Sequence, residues 1–305
     1  MKKVVVRIIC CWFLMAISSI SYAAIVNNNH LYQQSEIIIQ QLQSIRQAKA
    51  LASLTPEPPI VAGKLATSLF FKANDLVRLA GQLQQAQGLT VISPIEPEFR
   101  VFRPSNIMAP LQILSKQLEE VRQQLGILSP LPEIDVPMGK SVNDVYRQLL
   151  IIEALFNGLT KESHFHQIEM NIALSKQALQ WIAEHKQRSI SFPSIQAVQG
   201  REATDDNLLA YQILYLTGQL FRQIGVDTTE PGRFPIGEST LSQVEDTLLN
   251  LRAELHRGQT VMGASVVIPT SFQSSGQLDT NLIYAQLTQL RDGLLGMLAG
   301  GHDAR

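Results

Sequence analysis

Cysteine is nearly missing from this chain: 305 residues hold two, Cys10 and Cys11, side by side near the start. Aromatic residues make up only 6%. Neither sign of charge dominates, with Lys+Arg 25 against Asp+Glu 26 and a formal net charge of −1. That balance argues against nucleic acid as the main partner, because neutralising phosphates takes a basic face. Beyond the N-terminal stretch no segment is long and apolar enough to span a membrane. Ordinary apolar side chains are plentiful at 45%, enough to build cores and too many for a disordered chain.

The first residues read as an address. Lys2, Lys3 and Arg7 precede a largely apolar run from Ile8 to Ile20, and Ser21-Tyr22-Ala23 places small residues before a cut. This is the pattern of a secretory signal peptide, expected to occupy residues 1–23 and to be cleaved after Ala23. Cys10 and Cys11 lie at the start of the apolar run rather than after it, so a lipid anchor is not expected. Cleavage removes three basic side chains and no acidic one, taking the net charge from −1 to −4. It also removes both cysteines. The mature chain would then have no disulfide, thiolate nucleophile or Cys-ligated metal, and a periplasmic or secreted location follows.

Apolar periodicity points to an all-α chain. Leu111, Leu114, Leu118, Val121, Leu125 and Leu128 alternate spacings of three and four, as do Val142, Val145, Leu149, Ile152, Phe156 and Leu159. Such seams belong to helices packed at shallow angles. Eight helices are expected, near 30–54, 64–88, 105–127, 141–159, 163–187, 204–225, 240–257 and 279–299.

The second half echoes the first. Gly63-Lys64-Leu65-Ala66-Thr67 returns as Gly200-Arg201-Glu202-Ala203-Thr204 at an offset of 137 in the numbering, and Gly81-Gln82-Leu83 recurs as Gly218-Gln219-Leu220 at the same offset. His30 and Gln33 align with His164 and Gln167 at an offset of 134. Leu111, Leu118, Arg122 and Leu125 align with Leu241, Leu248, Arg252 and Leu255. Asn143, Tyr146 and Leu149 align with Asn281, Tyr284 and Leu287. A tandem duplication is therefore expected, giving two similar four-helix bundles at 28–160 and 161–300, or a stack of four long-loop hairpins, with a disordered tail at 301–305. The connections are long and rich in proline, yet carry apolar residues such as Val91, Phe99, Phe102, Phe192 and Phe234. Extended arms along the helices, or a partner surface, would account for them.

Motifs for chemistry are sparse. Gly139-Lys140-Ser141 resembles the end of a phosphate loop, but Ile134 stands where that pattern needs glycine, and a helix cap explains it better. His166, Glu162 and Glu169 share a helix face that could hold zinc weakly, but a helix start with solvated polar residues explains them better. Glu119, Glu120, Glu153, Asp205, Asp206, Glu245 and Asp246 read as a solvated face. No nucleophile motif occurs, so no catalytic, metal or cofactor site is expected. The residues that recur without a packing reason are Lys64/Arg201, Arg122/Arg252, Tyr146/Tyr284 and His30/His164, and they form the candidate binding surface. The expected function is an exported, non-catalytic helical protein that binds or scaffolds an unidentified protein. The alternative is a binder or sensor of a small apolar or aromatic ligand, held in a bundle core or between the bundles.

Overall fold

The computed structural model describes residues 25–58, 61–160, 164–228, 231, 234, 237–265 and 279–300. The expected signal segment and the 301–305 tail lie outside them. Eight helices make up the described chain: α1 Asn28–Ala48, α2 Ala66–Ala86, α3 Pro104–Gln124, α4 Val142–Leu155, α5 His164–His185, α6 Ala203–Gln223, α7 Leu241–Val261 and α8 Thr280–Ala299. No strand occurs among the described residues.

Capping sets several starts. The side chains of Asn27, Ser141, Thr240 and Asp279 accept backbone N–H groups of the first turns of α1, α4, α7 and α8. The first helix stops at Ala48 rather than near 54. Ala50 turns left-handed (φ 52°), and Leu51 and Leu54 pack onto the core from an extended arm instead of a further helical turn.

Two apolar cores result. Within the first half α1 and α2 each pack on α3 and α4; within the second, α5 and α6 each pack on α7 and α8. The pairings in the two halves are thus the same, as two four-helix bundles require. Helix ends agree as well. Ala48 and His185, Ala66 and Ala203, Ala86 and Gln223, Pro104 and Leu241, and Gln124 and Val261 all keep the offset of 137. The left-handed pairs Ala50/Gln187, Gly63/Gly200, Gly88/Gly225 and Gly126/Gly263 keep it too. At α4 and α8 the starts, Val142 and Thr280, are one position further apart.

The arms lie along the helices. Asn74 of α2 exchanges two hydrogen bonds with Ile95, at 2.9 and 3.0 Å. Gln117 of α3 donates to the Ile92 carbonyl at 3.0 Å, and Gln33 of α1 to that of Ile134 at 2.6 Å. Val91 occupies the space above Gly81, where a Cβ would come within 2.8 Å. In the second half Phe192 covers Gly293, and Phe234 meets Tyr211 edge-on at 5.2 Å.

Candidate functional site

Helix α7 is apolar on two sides. Val244, Leu248, Leu251 and Leu255 build the second core, while Leu249 and Ala253 project into the first. That second side lies on α2 and brings α7 to α4 as well. Buried charges surround it.

A clasp at the start of α2 prepares one seat. Gly63 turns left-handed, the Lys64 N–H donates to Asn143 Oδ1 at 3.1 Å, and the ammonium sits 4.0 Å above the Tyr146 ring. That ammonium then meets Asp246 Oδ2 of α7 at 2.8 Å, and the Tyr146 hydroxyl donates to Oδ1. Deeper in, the Lys72 ammonium pairs with Glu153, to which Ser242 of α7 donates at 3.4 Å. His164 Nδ1 lies 2.7 Å from Glu245. The Arg252 guanidinium covers the Phe71 ring at 4.2 Å and reaches Asn171 at 3.4 Å. His256 enters an aromatic recess, stacked on Phe99 at 4.7 Å and edge-on to Phe71 at 5.3 Å. Its Nε2 donates to the Glu98 carbonyl at 3.2 Å.

Burial and neighbours pull these groups in opposite directions. Desolvation works against the Lys72 ammonium, yet Glu153, Glu245 and Asp246 together hold its pKa above the ordinary lysine value. For Lys64 burial wins over Asp246 and the pKa falls. Burial would raise Asp246, but Lys64, Lys72 and the Tyr146 hydroxyl bring it below the usual carboxylate value. Burial raises Glu245 and Asp75, while the hydrogen bond that His164 donates to Glu245 raises His164. Burial lowers His256 to about 4 and Arg252 to about 10.

Beside this network a cavity of about 300 Å³ opens between the bundles, lined by Glu57, Glu153, His164, Ser242, Gln243 and Asp246 among others. A small hollow of about 40 Å³ shares Glu153, Asn157 and His164 with it and adds Arg78 and Glu245. Hydroxyl, amide and carboxylate groups converge there beside Pro56, Pro58, Leu150 and Ala154, so a guest would meet both hydrogen-bonding and apolar wall. Among the described residues no group of three or more His, Cys, Asp or Glu side chains could hold a metal ion, and no helix is long and apolar enough to cross a membrane.

The structure brings four of the sequence-derived residues, Lys64, Tyr146, Arg252 and His164, to this interface. Arg201 and Tyr284 form the matching clasp in the second half: the Arg201 N–H donates to Asn281 at 3.0 Å, with the guanidinium 4.3 Å above the Tyr284 ring. Two proposed equivalences depart from the common offset of the helix ends. The common offset of 137 makes Gln259 the counterpart of Arg122 and Ser115 that of Arg252. Arg122 instead ties Glu119 to Ser44 and Ser129, beside a surface groove of about 610 Å³. By the same offset His30 falls opposite Gln167 rather than His164, and it belongs to the α1 capping box with Asn27. Three acidic residues expected on a solvated face are buried: Glu153, Glu245 and Asp206 are 9%, 3% and 0% exposed.

Gly139-Lys140-Ser141 is a third clasp. Lys140 donates its N–H to Asn29 at 2.8 Å and places its ammonium 4.1 Å over Tyr32, while Ser141 caps α4. Of the His166 group, Glu162 lies outside the described residues. Lys72, Asp75 and His256 belong to no motif that the sequence singles out. No known family, curated protein or solved structure matches this chain.

Proposed function

We propose that the chain is an exported, non-catalytic scaffold made by tandem duplication of a four-helix unit, and that each unit serves to dock a helix from outside its own bundle. The seating of α7 on the first unit carries this reading. A helix belonging to the other bundle lays its apolar strip, Leu249 and Ala253, on the α2 and α4 side, where a Lys64–Tyr146 clamp holds its carboxylate. The common offset of helix ends supports the duplication, and the Ser21-Tyr22-Ala23 sequence supports export after Ala23.

The test is site-specific photocrosslinking of the full-length chain in the cells that make it, with the probe placed in turn on several faces. A discrete protein adduct is expected from at least one face, on a chain whose intact mass shows a new N-terminus at Ala24. No adduct from any face would defeat the docking role, and an uncut N-terminus would defeat the export mechanism. A second reading has an observation of its own, the cavity of about 300 Å³ between the bundles. A small ligand with an apolar body and a hydrogen-bonding group, held there, would raise the melting temperature with its occupancy, and Glu153→Gln would abolish that rise.

A further inference from the structure

The surface that receives α7 on the first unit has a counterpart on the second that no other described helix covers. By the offset of 137 between α2 and α6, Phe71 corresponds to Leu208 and Arg78 to Tyr215; by that of 138 between α4 and α8, Glu153 corresponds to Arg291 and Asn157 to Leu295. Phe71, beneath Arg252 of α7, is 2% exposed. Leu208, Tyr215 and Leu295 are 46%, 53% and 43% exposed. Large apolar side chains rarely stand outward in a group without a partner. These three stand where the first unit is covered by α7 or borders the chamber beside it.

The polar half of the seat is also present. Arg201 and Tyr284 repeat the Lys64–Tyr146 clasp, which on the first unit holds Asp246. Arg201 lies 3.8 Å from Asp205 in the first turn of α6, both about two-fifths exposed, a weak surface pair that an incoming carboxylate can displace. Arg291, in the place of Glu153, makes this face more basic than its counterpart; it pairs with its neighbour Asp292 at 2.7 Å.

We infer that the α6–α8 face docks an amphipathic helix of a partner protein, one with an aspartate or glutamate at the edge of its apolar stripe. The inference rests on the helix-docking reading above and names its vacant seat. A second copy of this chain is poorly equipped to fill it. Its α7 is committed to its own first unit, and α3 carries Ala109, Gln112 and Lys116 where α7 carries Asp246, Leu249 and Ala253. At the position of Asp246, α3 has Ala109 and so no carboxylate for Arg201.

The probe is a fluorescent synthetic peptide of residues 240–262, which carries the required chemistry, titrated into the intact mature chain and followed by anisotropy. Saturable binding is expected, weakened at least tenfold by Arg201→Glu or by Leu208→Asp in the protein, and by Asp246→Ala in the peptide. Leu208 is exposed, so its substitution preserves the fold. Both protein changes leave the seat of α7 intact. Binding indifferent to them reports exchange with the chain's own α7 and overturns the inference; so does the lack of saturable binding. Self-association in sedimentation that Leu208→Asp abolishes would give the face to a second copy and overturn the partner named here. A photocrosslinker at position 215 separates this failure from failure of the broader role. Adducts formed through the groove beside Arg122 but not through position 215 would preserve protein binding and remove this seat. Adducts from neither would remove both.

Discussion

Removing Lys72 alone and removing it together with Glu153 should have unequal consequences. Lys72 is fully buried and its ammonium neutralises Glu153. Lys72→Met leaves that carboxylate without its principal cation, which costs about 3–5 kcal/mol in buried pairs. The double change Lys72→Met/Glu153→Leu removes both charges and should recover most of the loss, as chemical denaturation of the two variants will measure. A single variant as stable as the parent would mean that water, not Lys72, satisfies Glu153. His256 makes a prediction of the opposite kind, read against pH. Its pKa is lowered by burial to about 4, so folding favours the neutral ring. The stability this represents is present above the unfolded value of about 6.5 and is lost as pH falls toward 4, about 3 kcal/mol in all. His256→Leu should flatten that limb of the stability curve, and an unchanged limb would assign acid sensitivity to other groups. Neither residue advertises itself in the sequence. Lys72 and Asp75 stand away from the helical seam, where solvent is the default, and only the arrival of α7 turns that face into an interior.

At the scale of helices, the seams announce eight elements and their order, and most ends fall within a few residues. Register is harder to read. A seam with spacings of three and four looks nearly the same after a slide of one heptad, so Arg122 falls into line with Arg252 although the helix ends place it opposite Gln259. Residues with special backbone geometry do not suffer this ambiguity, and the left-handed positions, from Ala50/Gln187 to Gly126/Gly263, keep one offset throughout. The clasps are legible for the same reason: Gly-Lys and Gly-Arg mark a turn, and the Asn-x-x-Tyr that answers them recurs at Asn29, Asn143 and Asn281. Side chains from facing helices also trade volume. The Phe221 ring fills the place above Gly258, so a Cβ there would overlap it, whereas the first unit has Gln84 and Val121 at the matching positions. Gly258→Ala should therefore cost about 1–3 kcal/mol by overpacking despite the better helix propensity of alanine. Adding Phe221→Leu should recover part of it. A stabilising Gly258→Ala, measured by thermal melting, would show that the ring can move aside.

For the molecule as a whole, the two cores are separate apolar clusters, yet the first is completed by side chains of the second bundle. Leu249 and Ala253 are fully buried in it, and Lys64, Tyr146 and Asp246 close its edge. Burying one leucine contributes about 1.5–3 kcal/mol, a sizeable share of the roughly 5–15 kcal/mol that holds a domain. The two bundles should consequently unfold as one cooperative unit, in a single calorimetric transition. Leu249→Asp with Asp246→Lys attacks only this junction: it forces a carboxylate into the first core and sets two ammonium groups, Lys64 and the new lysine, against each other. Leu248, Leu251 and Leu255, which hold α7 in its own bundle, are untouched. The variant should keep its helical content but unfold in two transitions, with the first bundle melting earlier because Phe71 loses its cover. Two transitions already present in the parent chain would mean that α7 touches the first bundle without coupling it to the second. Complete loss of helicity in the variant would mean that neither bundle stands without the other, and the unit of folding would then be the whole eight-helix chain.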